Sequence, residues 1–523
     1  MGERSFRIRG RLADAASPRL GGDTTHLGAT RRLVPGRARD GVTDELEVSA
    51  GEVVRIELDN GFVLWSRADD LVHEHGRRGL SRDGGEAWEF DRLAPRRDGA
   101  SRDERGLLGL GVKLLDFFGI ELDKVAAREL GSRLEDKQLK AGPPGLYRCS
   151  LDDAFQLTPA NPVAPADPGP LLVFIHGTAS SGQGSFGKLW EPDNAAGRTA
   201  RQQLKTRYAE RVFAFEHRSL SESPIVNALA LADSLPAGAE LHLVTHSRGG
   251  LIGELLCLGE CENLTQVLTP ERLKELFAAD RTIAEQLGLS PLDTQALKAR
   301  DDAYAQDRDA LAELIGIFAA KHFRVTRFVR VACPARGTTL ASGRLDRWLS
   351  MLDFLAGKML GESLFADGLD FLLAVVKERT DPRTLPGLEA MMPGSALTRL
   401  LHHPELLTPA DLSVIAGDIE GDSLWQKLKL LASDWFYGAD HDLVVNTGSM
   451  SGSLRRSGQG ARFREDKGSE VNHFGYFRNA RSVNWLLAGL TRLPAWMGKT
   501  AASCRSPRPN TRRHAGVGQS SAA

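Results

Sequence analysis

The sequence is short of the features that would place it at a glance. Its 523 residues hold five cysteines (Cys149, Cys257, Cys261, Cys333 and Cys504) and no CxxC pair, which argues against a disulfide framework and the usual zinc spacings. Cys257 and Cys261 stand four apart on a helical pattern without a nearby histidine or third cysteine, so buried small hydrophobes are expected there. So few thiols fit a reduced, cytoplasmic compartment. Charge of one sign is also missing. Lysine plus arginine number 67 against 68 aspartate plus glutamate, a net charge of −1, so no global field points to nucleic acid or an anionic membrane. Long apolar runs are absent too: the greasiest stretch, 106–122, is broken by Lys113, Asp116 and Glu121, short of the about 20 residues a membrane helix needs. No transmembrane segment is expected. The first twenty residues carry arginines but no apolar core, which argues against a secretory signal. No internal repeat stands out.

What is there is ordinary globular composition, 41% hydrophobic and 26% charged, on a chain long enough for two to four domains. Residues 40–66 alternate apolar and polar around Leu46, Val48, Val54, Ile56 and Leu58, with Asn60-Gly61 as a hairpin signal, and predict β structure. Residues 67–105 read as solvated loop and 106–140 as helix. The stretch TPANPVAPADPGP, 158–170, is proline-rich and predicts an extended linker between a β-rich or mixed domain, 1–157, and a second domain, 171–498. That second domain carries short continuous apolar runs, LLVFI (171–175), VFAF (212–215), LHLVT (241–245), VTRFVRVA (325–332) and LSVIA (412–416), separated by longer helical stretches. Strands buried on both faces of a parallel sheet need such runs, so an α/β fold with helices flanking a mostly parallel sheet is expected. Helical insertions are expected over about 262–324 and 343–410. The tail, 499–523, lacks large apolar residues and is expected to be disordered.

The sharpest chemical signal is LHLVTHSRGGLIGELL, 241–256. A β run ends at Thr245, and Gly249-Gly250 opens a helical pattern, the strand-turn-helix of a nucleophile elbow that exposes Ser247 at the sheet's carboxyl edge. Thr245 stands where the GxSxG pattern has its first glycine. The first run ends in His176-Gly177-Thr178, where the backbone N–H of Thr178 and that of Arg248, the residue after the nucleophile, would converge on a developing oxyanion; such a donor is worth roughly 3–4 kcal/mol of barrier. His176, Gly177, His246 and Gly249 are read as support for these loops, His176 through hydrogen bonds to loop backbone without proton transfer. A serine needs a base, and the base needs a carboxylate. His473, in VNHFGYFRN after the predicted strands, is the expected base ahead of His441. Asp442, immediately before Leu443-Val444-Val445, is the expected acid, with Asp440 as the alternative and Asp418 behind it; without a catalytic role, Asp440 and Asp442 would read as a solvated turn opening a strand. GQGSFGK, 182–188, nearly matches a phosphate-cradling loop, but Leu189 replaces the metal-binding hydroxyl and Trp190-Glu191-Pro192 follows in place of a helix; a flexible loop over the site is expected instead.

Together FIHGT, THSRGG, CPARGTTLA (333–341), MMPGS (391–395), DHDLVV and NHFGYF resemble the lipase-like branch of the α/β-hydrolase superfamily, of the bacterial type often found in proteins that also carry a caspase-like CHAT domain. The resemblance covers about 165–498. It implies an α/β-hydrolase fold with a triad of Ser247, Asp442 and His473, acting on a lipid-like or small acyl ester without a cofactor or metal. The second reading is a catalytically silent or regulatory hydrolase-fold module in which the first 150 residues bind a protein partner.

Overall fold

The five apolar runs become the middle of one sheet. The computed structural model describes residues 4–13, 27–35, 44–80, 85–90, 92–93, 110–120, 127–160, 169–278, 292, 294–338, 345–360, 369–378, 380–420, 441–457, 460–469 and 471–491. The first nine described strands are β1 (Ser5–Ala13), β2 (Leu27–Pro35), β3 (Asp44–Ser49), β4 (Val53–Leu58), β5 (Val63–Arg67), β6 (Arg77–Leu80), β7 (Glu86–Glu89), β8 (Arg92–Leu93) and β9 (Leu110–Ile120). They form one sheet in the order β5-β4-β9-β2-β1-β7-β6, with β3 on β1 and β8 on β9. The hairpin signal is used as read: Gly61 joins β4 to β5 at φ +81°, a conformation glycine adopts without strain.

Two expectations for this region are corrected. Residues 67–105 hold the helix Ala68–His75 and strands β6 to β8, so their described part is not simply loop. The leucines of 110–120 lie on β9, between β2 and β4, and the first described helix after it is Ala127–Gln138. Alternation was hidden because β9 is buried on both faces over residues 115–118. Asp116 is fully buried there and paired with Arg32 at 2.6 Å and Arg55 at 3.2 Å, which neutralises a charge that reads as solvent-facing in sequence.

The second sheet contains β10 (Gly145–Cys149), β11 (Leu157–Pro159), β12 (Leu171–Ile175), β13 (Val212–Glu216), β14 (Glu240–His246) and β15 (Arg324–Val331). Of the later strands, β16 (Leu407–Thr408) and β18 (Arg455–Arg456) pair with each other, while β17 (Asp411–Ile419) and β19 (Arg462–Gly468) complete the sheet. Its order is β11-β10-β13-β12-β14-β15-β17-β19, and β10 runs against its neighbours. Every residue of β12 and β13 is buried, as their unbroken apolar sequences require. Strands β10 and β11 lie largely before the expected boundary at 157, yet pair into this sheet. Most of the proline-rich linker, 161–168, and the tail, 499–523, lie outside the described residues.

Helices Ala195–Tyr208 and Ala480–Leu490 pack together, the latter on β15 and β17; Pro224–Ser234, Gly249–Cys257 and Thr294–Lys321 form a second group. The sheet order reverses beside β12, which makes the carboxyl ends of β12 and β14 the topological switch point, where open α/β sheets bind ligands. The segment 262–324 contributes a 28-residue helix, Thr294–Lys321. The segment 343–410 contributes Leu345–Leu360 and Leu369–Lys377, which meet the first sheet: Trp65 N–H donates to Ser350 Oγ at 3.1 Å and Arg67 to the Lys377 carbonyl at 2.8 Å. A separate unit begins at Thr491, its only described residue. Among the described residues no helix is long and apolar enough to cross a membrane.

Candidate active site

The turn after β14 is tight enough to need three particular residues. Ser247 has φ +52°, a left-handed conformation that costs a non-glycine residue roughly 1–2 kcal/mol. It is held there because its N–H donates to the Val331 carbonyl at 2.8 Å and its carbonyl accepts from Gly250 N–H at 2.9 Å. Helix Gly249–Cys257 follows at once. A Cβ on Gly249 would lie 2.4 Å from the carbonyl oxygens of Ile175 and His176, and one on Gly177 would lie 2.8 Å from Ser247 Cβ. Both glycines are therefore required by the approach of the β12 loop to the elbow. Thr245, at the position glycine usually holds, is fully buried in β14, opposite Ile175 and Arg330, and its hydroxyl has no partner among the described residues.

His473 and Asp442 meet. Nδ1 of His473 lies 2.9 Å from Oδ2 of Asp442, and His473 N–H donates to the Asp442 carbonyl at 3.1 Å. The other carboxylate oxygen, Oδ1, accepts from the N–H groups of Val444 at 3.1 Å and Val445 at 2.8 Å. Burial alone would raise the Asp442 carboxyl, but the His473 ring and these donors outweigh it and hold the group below its ordinary value. The same bonds keep Leu443-Val444-Val445 from forming a strand. Those N–H groups turn back onto Asp442, Leu443 takes φ +76°, and a single bridge from His441 to Asn446 replaces a ladder. Asp440, the alternative acid, lies outside the described residues. Asp418 is bonded to Lys467 at 3.3 Å.

Ser247 Oγ makes no hydrogen bond among the described residues, with His473 or otherwise. His473 reaches the elbow through its neighbour: Nε2 of His246 donates to the His473 carbonyl at 2.8 Å, and the two rings lie 4.9 Å apart. Before substrate binds, catalytic hydrogen bonds are often long or unmade. The N–H groups of Thr178 and Arg248 likewise have no acceptor among the described residues. The next residue, Ala179, is fixed at φ +47° by donating to Ser219 Oγ at 2.8 Å. His176 lies under this loop: Nδ1 is 2.9 Å from the Gly177 carbonyl, Nε2 accepts from His217 N–H at 3.1 Å, and burial lowers its pKa to about 4. It is neutral and locked into backbone.

The segment 182–188 is helical where a loop was expected. Gly182–Phe186 is helical, capped by Ser181, and passes into a 3-10 turn, Gly187–Trp190. Ser185 faces inward, accepting from Gly177 N–H at 3.2 Å and lying 3.2 Å from His246 Nδ1.

Sequence reasoning missed four supports. Tyr476 donates to Asp442 Oδ2 at 3.0 Å, and its place three residues after His473 was the available clue. Ser185 was visible only as part of a misleading motif. The Arg248 side chain, fully buried, donates from Nε to the Gly387 carbonyl at 3.2 Å and from one terminal nitrogen to the Glu222 carbonyl at 2.6 Å and Asn227 Oδ1 at 2.9 Å. Glu135, on the helix before β10, takes the N–H groups of Ser219, Leu220 and Ser221, and so fixes the loop that holds Ala179. Nothing in its sequence context signals that. Among the described residues no group of three or more His, Cys, Asp or Glu side chains is placed to hold a metal ion. Cys257 and Cys261 are buried, and burial raises both thiols.

The chain matches the family described as "Domain of unknown function (DUF7379)" over residues 143–278 and 308–491, more than half its length. No curated protein matches it. Among solved structures it is similar to Bacillus licheniformis lipase BlEst2 in mature form, at 16% identity and a TM-score of 0.27 over 61% of this chain and 91% of that one. The propeptide form of the same lipase matches at 14% identity and a TM-score of 0.27, over 70% of this chain and 56% of that one.

Proposed function

This chain belongs to the DUF7379 family, and for it we propose a serine hydrolase of acyl esters built on an α/β-hydrolase fold. Ser247 Oγ attacks the ester carbonyl while Nε2 of His473 takes its proton, and Asp442 holds Nδ1–H and the resulting imidazolium. The N–H groups of Thr178 and Arg248 receive the tetrahedral oxyanion. Collapse breaks the bond to the alcohol, which leaves with the proton from His473 and yields an acyl-Ser247. Water, deprotonated by His473, then releases the acid and restores the serine. Each step uses this chain's own groups.

The observation that carries the reading is the 2.9 Å bond from His473 Nδ1 to Asp442 Oδ2, with His473 tied through His246 to an elbow whose serine sits at φ +52°. A hydrogen bond on Nδ1 leaves Nε2 as the ring's acceptor, as a general base requires. Residues from about 143 onward form the hydrolase portion in this reading, since β10 and β11 pair into its sheet. The insertion 343–410 serves as its cap and is bonded to the β-rich part formed by the preceding residues through Trp65 and Arg67.

A fluorophosphonate probe tests the chemistry. The protein should be labelled, and should hydrolyse short-chain p-nitrophenyl esters. Labelling should vanish in Ser247→Ala and turnover in His473→Ala; a Ser247→Ala variant that still labels like wild type rejects the reading.

A further inference from the structure

The glycine-rich segment 182–188 is left without a role by the proposed chemistry, yet it places one hydroxyl where three parts of the site meet. Ser185 is 2% exposed and His246 is 2% exposed, so their polar atoms must find partners inside the protein. The bonds around them have one consistent polarity. Nε2 of His246 faces the His473 carbonyl at 2.8 Å, and since a carbonyl can only accept, Nε2 carries the hydrogen. In the neutral ring Nδ1 is then an acceptor, and the Ser185 hydroxyl 3.2 Å away must donate to it. With its hydrogen committed, Ser185 Oγ accepts from Gly177 N–H at 3.2 Å, and the neighbouring Ser180 hydroxyl, also at 3.2 Å, shares its one hydrogen between this oxygen and the Ser181 carbonyl at 3.3 Å.

We propose that Ser185 and His246 are positioning residues of the hydrolase, a strut running Gly177 N–H, Ser185 O–H, His246 N–H and His473 C=O that sets the oxyanion loop and the general base relative to each other. The inference rests on the serine-hydrolase reading for its catalytic consequence, but the strut itself is a matter of hydrogen bonds. Its two ends are the residue before the Thr178 donor and the main chain of His473, and its middle is the residue before Ser247. A shift at one end therefore reaches all three reacting groups. Burial lowers the His246 pKa to about 3, so the ring keeps the required neutral form across the working range.

Ser185→Ala removes the hydroxyl. His246→Gln keeps a donor near the His473 carbonyl but loses the acceptor for Ser185, whereas His246→Asn keeps that acceptor and loses the reach to His473. Activity is measured as kcat per site titrated with fluorophosphonate, so misfolded protein drops out of the count. Each variant should lose about 10- to 100-fold in kcat, the scale of a small misplacement of reacting groups, with KM nearly unchanged. The double variant Ser185→Ala with His246→Gln should be no worse than the worse single. Losses confined to the titratable fraction or to Tm, with wild-type kcat per titrated site, would overturn the proposal and leave a merely structural role. Hydrogen–deuterium exchange of the full chain separates this from failure of the hydrolase reading. If wild type does not label at all, faster exchange over 471–477 in Ser185→Ala still supports the coupling, and unchanged exchange there overturns it.

Discussion

Tyr476 gives its phenolic hydrogen to Oδ2 of Asp442 at 3.0 Å, the same oxygen that faces Nδ1 of His473 at 2.9 Å. With Val444 and Val445 on Oδ1, the carboxylate has a donor set on each oxygen and cannot rotate away from the imidazole. The phenol fits because residue 417 is glycine; a Cβ there would lie 2.5 Å from its oxygen. Removing one of four donors should be mild. Tyr476→Phe is expected to lower kcat by about three- to tenfold, the worth of one buried hydrogen bond near 1 kcal/mol. Asp442→Asn should cost far more, on the order of 10⁴ in kcat, because an amide cannot hold the Nδ1–H tautomer in the same way. Steady-state kinetics on a p-nitrophenyl ester compares them, and equal losses would mean that Asp442 does not orient His473.

Gly177 supplies a second test, of the elbow alone. A methyl group at this position would meet Ser247 Cβ at 2.8 Å, the His246 carbonyl at 3.3 Å and Ser247 Oγ at 3.4 Å. The neighbour that must yield is Ser247, the proposed nucleophile. Gly177→Ala should therefore reduce kcat by about 100-fold, as expected for a displaced reacting atom, with a stability loss of no more than about 1–3 kcal/mol from overpacking. Gly249→Ala meets main-chain oxygens of β12 and its loop at 2.4 Å, which cannot yield cheaply, so its loss should appear first in the denaturation midpoint. A Gly177→Ala enzyme with wild-type kcat would place Ser247 away from the reaction.

The legible parts of this protein were those where one kind of side chain is forced by one environment. Continuous apolar runs such as LLVFI can only be comfortable between two layers of helices, and all five of them are strands of the second sheet. Ser247 was readable because a strand, a serine and two glycines in succession leave few alternatives to a sharp turn. Reading failed where polar atoms, not periodicity, decide the structure. Leu443-Val444-Val445 looks like a strand until the Asp442 carboxylate claims two of its N–H groups. Strand β19, RFREDKG, lies at the end of the sheet's strand order and is mostly charged, so it carries no apolar signal. Glu135 acts across more than eighty residues of sequence on Ser219 to Ser221, a link that only the folded chain reveals.

Glu216 makes a prediction about pH. It ends β13 beside the loop that follows β12, 1% exposed, with Oε1 accepting from Gly182 N–H at 2.7 Å and Oε2 without a partner among the described residues. Burial pushes its carboxyl up to about 7, only partly opposed by that one donor, and His176, 3.9 Å away, is neutral and gives no ion pair. Between the ordinary glutamate value near 4.3 and about 7, the unfolded chain has lost this proton while the folded chain keeps it. Stability from this group is thus complete below the lower value and is lost as pH rises through the upper one, at about 1.4 kcal/mol per unit and roughly 4 kcal/mol in all. Glu216→Gln retains the acceptor for Gly182 and cannot ionise. Glu389 and Asp307, raised by burial to about 7 and about 6, add slopes of the same sign in both proteins, so the difference between variant and wild type is the quantity to read. Urea denaturation should find the two equally stable near pH 4 and the variant ahead at pH 8. A variant that is weaker than wild type at pH 8 would mean that Glu216 is held as a carboxylate by a partner in solution, and the buried, protonated group would have to be abandoned.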